Sequence, residues 1–297
     1  MQKNRTSSIS TTDLLLLLMA VTWGTNFAVV KQTLHEMLPL SFNALRFSLA
    51  SGLLLFILHV LEGGLLLDKR DLKGIFLLGL IGHTIYQLLF INGIARTTAS
   101  QSALIMATSP LFVVLLGSLI GAEKVSHRIL VGVLLSLAGV FMLVSGSSVE
   151  PGLAETRIVG GALTLIGAIC WATYTVFSKP YLARYSPLRL TVTTLVLGTI
   201  VLDFVAIPSL LAQDWRSVTV EGWAGLAYSF GLAIVVGYVI WEVGVQRVGP
   251  GRTAIYQNLI PVIATVVSCV WLGETVKGTQ LIGAGMVFLG IYMARRS

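Results

Sequence analysis

Long apolar runs separated by short polar segments extend along the whole chain. Breaks at Gly, Pro and charged residues divide the sequence into ten such runs. They cover residues 14–34, 41–61, 74–95, 99–121, 129–146, 158–178, 188–210, 223–245, 253–272 and 278–294. An α-helix of about 20 residues spans the ~30 Å hydrocarbon core of a bilayer. The pattern therefore predicts an all-α integral membrane protein with ten transmembrane helices.

The pattern of the first half returns in the second half. The stretch from Trp23 to Lys31 (WGTNFAVVK) reappears from Trp171 to Lys179 (WATYTVFSK), with Trp, Thr and Lys in register. Ten more identical pairs are 151 positions apart; the first members are Gly93, Arg96, Ala103, Pro110, Glu123, Val125, Leu130, Gly132, Gly139 and Met142.

Each half holds five predicted spans, and an odd number makes the second copy cross the membrane in the opposite sense. We therefore predict two inverted five-helix repeats, residues 1–150 and 151–297, around a central cavity. Inverted repeats of this kind are typical of secondary transporters, which alternate between two conformations about a site at the midplane.

Composition supports a membrane protein, and the distribution of Lys and Arg between the apolar runs predicts its orientation. Of 297 residues, 55% are hydrophobic and 11% charged, and the mean hydropathy is +0.87. The net charge of +7 comes from Lys and Arg in the short segments between runs, where they indicate topology and not a nucleic-acid partner. The positive-inside rule predicts that both termini lie in the cytoplasm, and we expect the protein in a bacterial-type inner (plasma) membrane. One side then carries fourteen basic residues (Lys3, Arg5, Lys69, Arg70, Lys73, Lys124, Arg128, Lys179, Arg184, Arg189, Arg247, Arg252, Arg295 and Arg296), and the other carries five (Lys31, Arg96, Arg157, Arg216 and Lys277).

The combination of these features resembles the drug/metabolite transporter superfamily, EamA type. The resemblance rests on Trp-Gly-Thr-Asn-Phe in the first span, Arg46 early in the second, Pro110 and Pro261 in the fourth and ninth, and Glu123 and Glu274 at the ends of those two spans. It covers the whole chain and is strongest for exporters of aromatic amino acids. It implies ten helices, a cavity built mainly from helices 1, 3, 4, 6, 8 and 9, and export of small metabolites.

Two kinds of aromatic residue are separated by their depth in the predicted spans. Trp215, Trp223, Trp271, Tyr181 and Tyr185 fall at helix ends, where interfacial anchoring explains them. Trp23 and Trp171 lie near the middle of their spans, and each shares a helical face with polar groups. The same kind of face in both copies favours a solute cavity over plain interhelical packing.

Polar side chains elsewhere in the spans are costly against lipid and should face the interior. Together with the two faces above, they make up the predicted substrate cavity: Trp23, Asn26, Tyr86, Gln87, Asn92, Trp171, Tyr174, Tyr238, Glu242, Tyr256 and Asn258. Packing between helices is an equally good explanation for any single one. Pro110 and Pro261 are predicted hinges or kinks, because proline removes a backbone donor inside a helix.

Intramembrane charge is sparse. Arg46 and Asp203 lie in the outer thirds of their spans, where snorkelling or a helix-to-helix pair is the default interpretation. Glu242 lies about one turn from a cytoplasmic helix end, and His83, near the midplane, is better explained as a packing residue. The sequence therefore gives no support for proton coupling.

Catalytic and cofactor-binding patterns are missing from the sequence. It contains no H-E-x-x-H, C-x-x-C, G-x-x-x-x-G-K-[ST] or G-x-S-x-G motif, and Cys170 and Cys269 lie apart in apolar runs. We expect no cofactor, no metal and no enzyme activity. Small-residue faces such as Gly132 with Gly139 could form scaffold contacts or a homo-oligomer seam.

The sequence thus predicts export of small amphipathic metabolites, chiefly aromatic and other neutral amino acids, by alternating access without ATP hydrolysis. Scarce buried charge fits a neutral or zwitterionic solute. Export of cationic or lipophilic drugs, or nucleotide-sugar exchange, is the alternative transport function, and a non-transporting membrane enzyme or receptor is the remote one.

Overall fold

The computed structural model describes residues 10–65, 67–119 and 154–295, and single positions between 131 and 142. The three continuous ranges contain nine long helices: α1 (Thr11–Thr33), α2 (Pro39–Glu62), α3 (Leu72–Arg96), α4 (Ala99–Leu119), α5 (Ala154–Ser178), α6 (Pro187–Ala212), α7 (Val220–Val248), α8 (Pro250–Trp271) and α9 (Gly278–Arg295). In the described ranges the structure is helical, without strands.

Eight of these helices, α1 to α8, are long and apolar enough to cross a membrane, and α9 has a shorter apolar part, Gly278–Gly290. Helices α1 to α4 match the first four predicted spans, and α5 to α9 match the sixth to the tenth. The fifth predicted span, 129–146, lies largely outside the described residues, as does Glu123. The count of ten therefore stays a prediction.

Four of the helices are irregular, at positions that correspond between the two halves of the sequence. A π-helical segment interrupts α3 at Leu80–Ile85 and α7 at Ser229–Val236. The α-helix of α4 is broken at 107–108, just before Pro110, and α8 contains a 3-10 turn at Tyr256–Leu259, just before Pro261. Each proline thus lies in the first turn of the helical segment that follows, where its missing N–H leaves no helix carbonyl unpaired.

Some helices cross so closely that only glycine fits at the point of contact. At Gly79 of α3, an added Cβ would lie 2.4 Å from the backbone oxygen of Thr194 in α6. At Gly198 of α6, it would lie 2.5 Å from the backbone oxygen of Gly79. The Thr84 hydroxyl, one turn further along α3, donates to the Gly198 carbonyl at 2.7 Å. This contact holds α3 and its π-helical segment against α6.

Loop contacts define the two ends of the bundle. At one end, Gln213 between α6 and α7 accepts a hydrogen bond from the backbone N–H of Leu38, at the start of α2. At the other end, the Asp71 carboxylate accepts a hydrogen bond from Tyr185 and pairs with Arg184 at 2.8 Å. Donation to this carboxylate raises the pKa of the Tyr185 phenol.

Lys31 and Lys179, which match in the sequence repeat, bind equivalent helix ends. The Lys31 ammonium donates to the carbonyls of Ile94, Ala95 and Thr97, at the C-terminus of α3. The Lys179 ammonium donates to the carbonyls of Val245 and Gln246, at the C-terminus of α7. A cation at a helix C-terminus satisfies carbonyls that have no partner within the helix and favours the helix dipole.

Candidate functional site

Four aromatic rings from three helices meet in the middle of the bundle, and we call them the tryptophan cluster: Trp23, Trp171, Tyr238 and Trp241. The Trp23 and Trp171 rings, equivalent in the repeat, are 5.5 Å apart and meet edge to face. Trp241 stacks on Trp23 at 5.5 Å and lies 5.3 Å from Trp171. Tyr238 lies 5.7 Å from Trp23 and 5.5 Å from Trp171. The two tryptophans that match in the sequence repeat are therefore in direct contact.

The π-helical segment of α7 holds this cluster in place. The Trp23 indole N–H donates to the Ala233 carbonyl at 2.8 Å, and Ala233 lies inside that segment. A Cβ added at Gly237 would lie 2.3 Å from the Trp23 indole nitrogen, so only glycine allows the indole to approach α7 this closely. Bulges of this kind frequently occur at functional sites.

A small cavity of about 60 Å³ lies against the cluster. It is lined by Trp23, Asn26, Phe27, Arg46, Tyr86, Gln87, Phe90, Met106, Trp171, Ala233, Ile234, Tyr238, Gln257 and Ile260. By the sequence numbering of spans, these residues come from helices 1, 2, 3, 4, 6, 8 and 9. The volume is large enough for a few water molecules but well below the ~150 Å³ that holds benzene, so an aromatic solute requires the walls to part.

Arg46 places a positive charge in the cavity wall. Its side chain is buried, and it donates to Asn43 at 2.9 Å, to Ser229 of α7 at 3.0 Å and to Gln87 of α3 at 2.7 Å. These bonds use three of the five guanidinium N–H groups. Within the described ranges, no carboxylate pairs with it.

Aromatic rings supply the rest of the environment of this charge. The guanidinium carbon lies 5.1 Å from the Phe42 ring centre, 5.3 Å from Phe47 and 5.8 Å from Phe90. Such cation–π contacts partly replace lost hydration. Of the two default interpretations of Arg46, snorkelling is therefore wrong, and the observed contacts with α3 and α7 correspond to the helix-to-helix alternative.

Unpaired polar atoms accompany this cation on the cavity wall. The Trp171 indole nitrogen is buried without a hydrogen-bond partner in the described structure, and so are the amide oxygens of Asn26 and Gln257. A buried polar atom without a partner is destabilising, so a solute or water that bonds to it is favoured. The cavity thus offers a cation, an N–H donor and two amide oxygens between aromatic walls.

Six of the eleven predicted cavity residues line this cavity: Trp23, Asn26, Tyr86, Gln87, Trp171 and Tyr238. The other five lie elsewhere. Asn92 donates to the Leu88 carbonyl of its own helix and accepts from Arg96. Tyr256 donates to Asp13 near the start of α1.

Asn258, Tyr174 and Glu242 also lie outside the lining. Asn258 is half-buried. Tyr174 lies behind the cluster, where its ring stacks on Trp171 at 5.4 Å and meets His83 at 4.9 Å. Glu242 is fully buried beyond Trp241. Tyr174 follows Trp171, Glu242 follows Tyr238 and Asn258 follows Gln257, each within about one turn of a lining residue. Helical spacing alone therefore did not separate them from the lining.

Arg46 and Gln257 are lining residues that the predicted cavity omitted. The sequence did contain a signal that Arg46 lies at the cavity, because it is a single arginine inside an apolar run. Gln257 is the middle residue of the run Tyr256 to Asn258, and consecutive residues of a tight helix point about 100–120° apart, so only one of the three can face the cavity.

The peripheral aromatics differ from the cluster. Trp215 and Trp223 stack on each other at 6.1 Å near a helix end, and Trp223 and Trp271 are exposed. Asp203 accepts a hydrogen bond from Ser48 of α2 at 2.7 Å, so it joins two helices and takes no part in the cavity.

Comparison with known proteins relates this bundle to transporters. A model of the EamA-like transporter family matches residues 10–145 and 158–296. The chain is 29% identical over 286 residues to an uncharacterized transporter of Bacillus subtilis, covering 95% of this chain and 92% of that protein. It is 29% identical over 294 residues to a probable amino-acid metabolite efflux pump of Salmonella typhimurium, with 94% and 93% covered. A crystal structure with 18% identity shares the fold at a TM-score of 0.68, covering 97% of this chain and 99% of that chain.

Proposed function

Because the chain belongs to the EamA-like transporter family, we propose that it exports neutral amino acids, aromatic ones above all, through the cavity beside the tryptophan cluster. Its family and its relatives are transporters and not enzymes. A relative of 29% identity is named a probable amino-acid metabolite efflux pump, which supports an amino acid as the solute here.

One observation carries this proposal: a buried arginine without a carboxylate partner lines the cavity. The Arg46 guanidinium keeps its charge at every physiological pH, and a planar fork of N–H groups suits a carboxylate. Binding a carboxylate would neutralise a charge that the apolar surroundings otherwise leave uncompensated.

The rest of the cavity suits the other parts of an amino acid. The amide oxygens of Asn26 and Gln257 can accept hydrogen bonds from an ammonium group. The rings of Trp23, Trp171 and Tyr86 can stack on an aromatic side chain. A zwitterion matches this set because it carries both charges in one small molecule.

Alternating access follows from the repeat. Equivalent irregularities in α3 and α7, and in α4 and α8, support two related halves that exchange conformations, as inverted repeats do in other secondary transporters. Pro110 and Pro261 would act as the hinges in this exchange.

The test is exchange of labelled L-phenylalanine in proteoliposomes, with phenethylamine, which lacks the carboxylate, as a competitor. Wild-type protein should exchange phenylalanine faster than empty vesicles and ignore phenethylamine. Arg46→Gln should weaken apparent affinity for phenylalanine about 10- to 100-fold, since a hydrogen bond to a charged group contributes ~1.5–3 kcal/mol.

Arg96→Gln is the matched control, because Arg96 is exposed at the end of α3. It should leave affinity unchanged. No exchange by the wild type would refute the amino-acid proposal, and equal affinity of wild type and Arg46→Gln would refute the role of Arg46.

Export of cationic drugs is the second candidate, and the cavity argues against it. Its wall carries the positive charge of Arg46, and no carboxylate occurs among the lining residues. A cation entering this site would meet a like charge in a medium of low dielectric constant, which is unfavourable.

A further inference from the structure

Glu242 is a carboxyl group sealed inside the bundle. It lies in α7, next to Trp241 and one turn beyond Tyr238, and its exposed fraction is 0%. In the described structure neither of its carboxylate oxygens has a hydrogen-bond partner. The hydroxyls of Tyr174 and Ser178 on α5 lie near it and are the donors available to it, and each also has another partner. Tyr174 bonds to Thr194 at 3.4 Å, and Ser178 donates to the Thr175 carbonyl at 3.2 Å.

The charged and titratable groups on the helices around Glu242 are held by other partners. Among the cations, the ammonium of Lys179 binds backbone carbonyls, Arg247 donates to Thr12, and Arg189 pairs with Glu62. Arg252 is exposed. The Asp13 carboxylate accepts a hydrogen bond from Tyr256, and the His83 ring bonds to Thr194. In the part of the chain that the structure describes, Glu242 therefore has no counter-charge. Burial without a counter-charge disfavours the ionised carboxylate relative to the neutral carboxyl group in this conformation.

Glu242 is not among the residues that line the solute cavity, but aromatic contacts link the two. Trp171 and Tyr238 line the cavity on one side. On the other side, Tyr174 stacks on Trp171 and faces Glu242. Because the cavity is too small for an aromatic solute, the rings must move when a solute enters, and the same movement changes the surroundings of Glu242.

We propose that Glu242 is the proton-carrying site that couples solute export to proton entry. The carboxyl group takes up a proton from water when its pathway opens to the outer side, and keeps it while buried. It releases that proton to water when the pathway opens to the inner side, where the carboxylate can be hydrated. One proton thus enters for each conformational return, with no other group transferred. The inference rests on the proposed transport function, and it explains why a carboxyl group without a counter-charge is kept inside the bundle.

Two measurements on labelled L-phenylalanine separate coupling from transport. The first is counterflow, the exchange of labelled external for unlabelled internal phenylalanine at equal pH on both sides. The second is net accumulation in vesicles that are more acidic inside than outside, with internal pH followed by a trapped dye.

Wild-type protein should perform both and should move protons opposite to the solute. Glu242→Gln keeps the shape of the neutral carboxyl group, so it should retain counterflow. It should lose proton movement, and its gradient-driven accumulation should fall about tenfold or more, because no titrating group remains at this site. Glu242→Asp should restore part of the coupling. The matched control, Glu221→Gln, changes an exposed glutamate at the start of α7 and should behave as wild type.

The results also distinguish the two proposals. Wild-type counterflow without proton movement would overturn the coupling role and leave the transport function standing. Gradient-driven accumulation by Glu242→Gln at the wild-type level would overturn it as well. Absence of counterflow in the wild type would instead remove the transport function. If Glu242→Gln elutes as aggregated protein, the wild-type dye signal and Glu242→Asp still decide the matter.

Discussion

Single side chains decide what this cavity can bind, and the tryptophans show how location governs their roles. Trp171 is buried and lines the cavity, whereas Trp215 stacks on Trp223 near a helix end. The residue type is the same, but only one of the two positions can contact a solute.

Trp171→Ala should therefore weaken apparent affinity for phenylalanine about threefold to tenfold, since an aromatic pair contributes ~0.5–1.5 kcal/mol. Trp215→Ala should leave it near the wild-type value. The measurement is concentration-dependent counterflow in proteoliposomes. Equal effects of the two substitutions would contradict the distinction between cavity and membrane interface.

A second residue-scale prediction uses two neighbours on the 3-10 turn of α8. Gln257 lines the cavity with an unpaired amide oxygen, whereas Asn258 is half-buried outside it. Gln257→Leu should lower affinity for phenylalanine more than for phenylpropionate, which lacks the ammonium group, because the lost oxygen is an acceptor. Asn258→Leu should affect neither. Competition by the two compounds gives the comparison, and equal losses for both would count against an ammonium contact.

Much of the site was predictable at this scale, and the misses have physical reasons. Helical spacing correctly grouped Trp23 with Asn26 and Trp171 with Tyr174, but spacing gives a face and not its depth. Tyr174 shares the face of Trp171 and still lies behind it. The role of Arg46 depended on contacts with α3 and α7, which are distant in sequence.

At the scale of elements, interruptions in the helices matter more than their regular parts. The α-helices break before Pro110 and Pro261, and π-helical segments occur in α3 and α7. The sequence indicated the prolines, because proline removes a donor. The π-helical segments have no comparable sequence signal, since they arise from packing against neighbouring helices.

Pro261→Ala should allow α8 to continue as a regular helix through the 3-10 turn, which removes this interruption. We expect the maximal rate of counterflow to fall several-fold while apparent affinity changes little. Pro208→Ala is the control, because Pro208 lies inside α6 on an exposed face. A normal rate in Pro261→Ala would contradict the hinge role.

The contact between α3 and α6 gives a prediction about stability. Gly198→Ala would place a methyl group 2.5 Å from the Gly79 backbone oxygen, so the helices must separate. We expect a loss of about 1–3 kcal/mol, typical of overpacking. Gly52→Ala meets nothing within 4 Å and should be neutral or slightly stabilising. Thermal melting in detergent measures both, and an unchanged melting temperature for Gly198→Ala would refute the close contact.

At the scale of the whole molecule, the ends of the bundle agree with the predicted topology. The loop before α2 contacts the loop between α6 and α7, and the loop after α2 contacts the loop between α5 and α6. The positive-inside rule assigns the first pair to the outside and the second pair to the cytoplasm.

Single cysteines introduced into a variant with Cys170 and Cys269 replaced by alanine test this orientation. Asp214→Cys should react with an impermeant maleimide in intact cells, and Arg70→Cys should react only after permeabilisation. Both positions are exposed, and they lie at opposite ends of the bundle. The reverse labelling pattern would place both termini outside.

The family and the membrane character could be recognised from the sequence, because they depend on hydropathy and on repeated residues. The inverted repeat is supported by the matching lysines, prolines and π-helical segments, but the fifth span and the boundary near residue 150 lie outside the described residues. Which side chains meet at the centre depended on how nine helices cross, and composition carries no such information.

The small volume of the cavity has a consequence for how such a protein would respond to its solute. If binding requires the tryptophan cluster to part, only the open fraction of molecules is competent. The apparent dissociation constant then equals the intrinsic one divided by that fraction, so an open population of about 1% weakens apparent affinity about 100-fold. Export would then stay far from saturation and rise almost in proportion to the internal amino-acid concentration over a wide range. The closed cluster would thus set the concentration range in which the transporter responds to its solute.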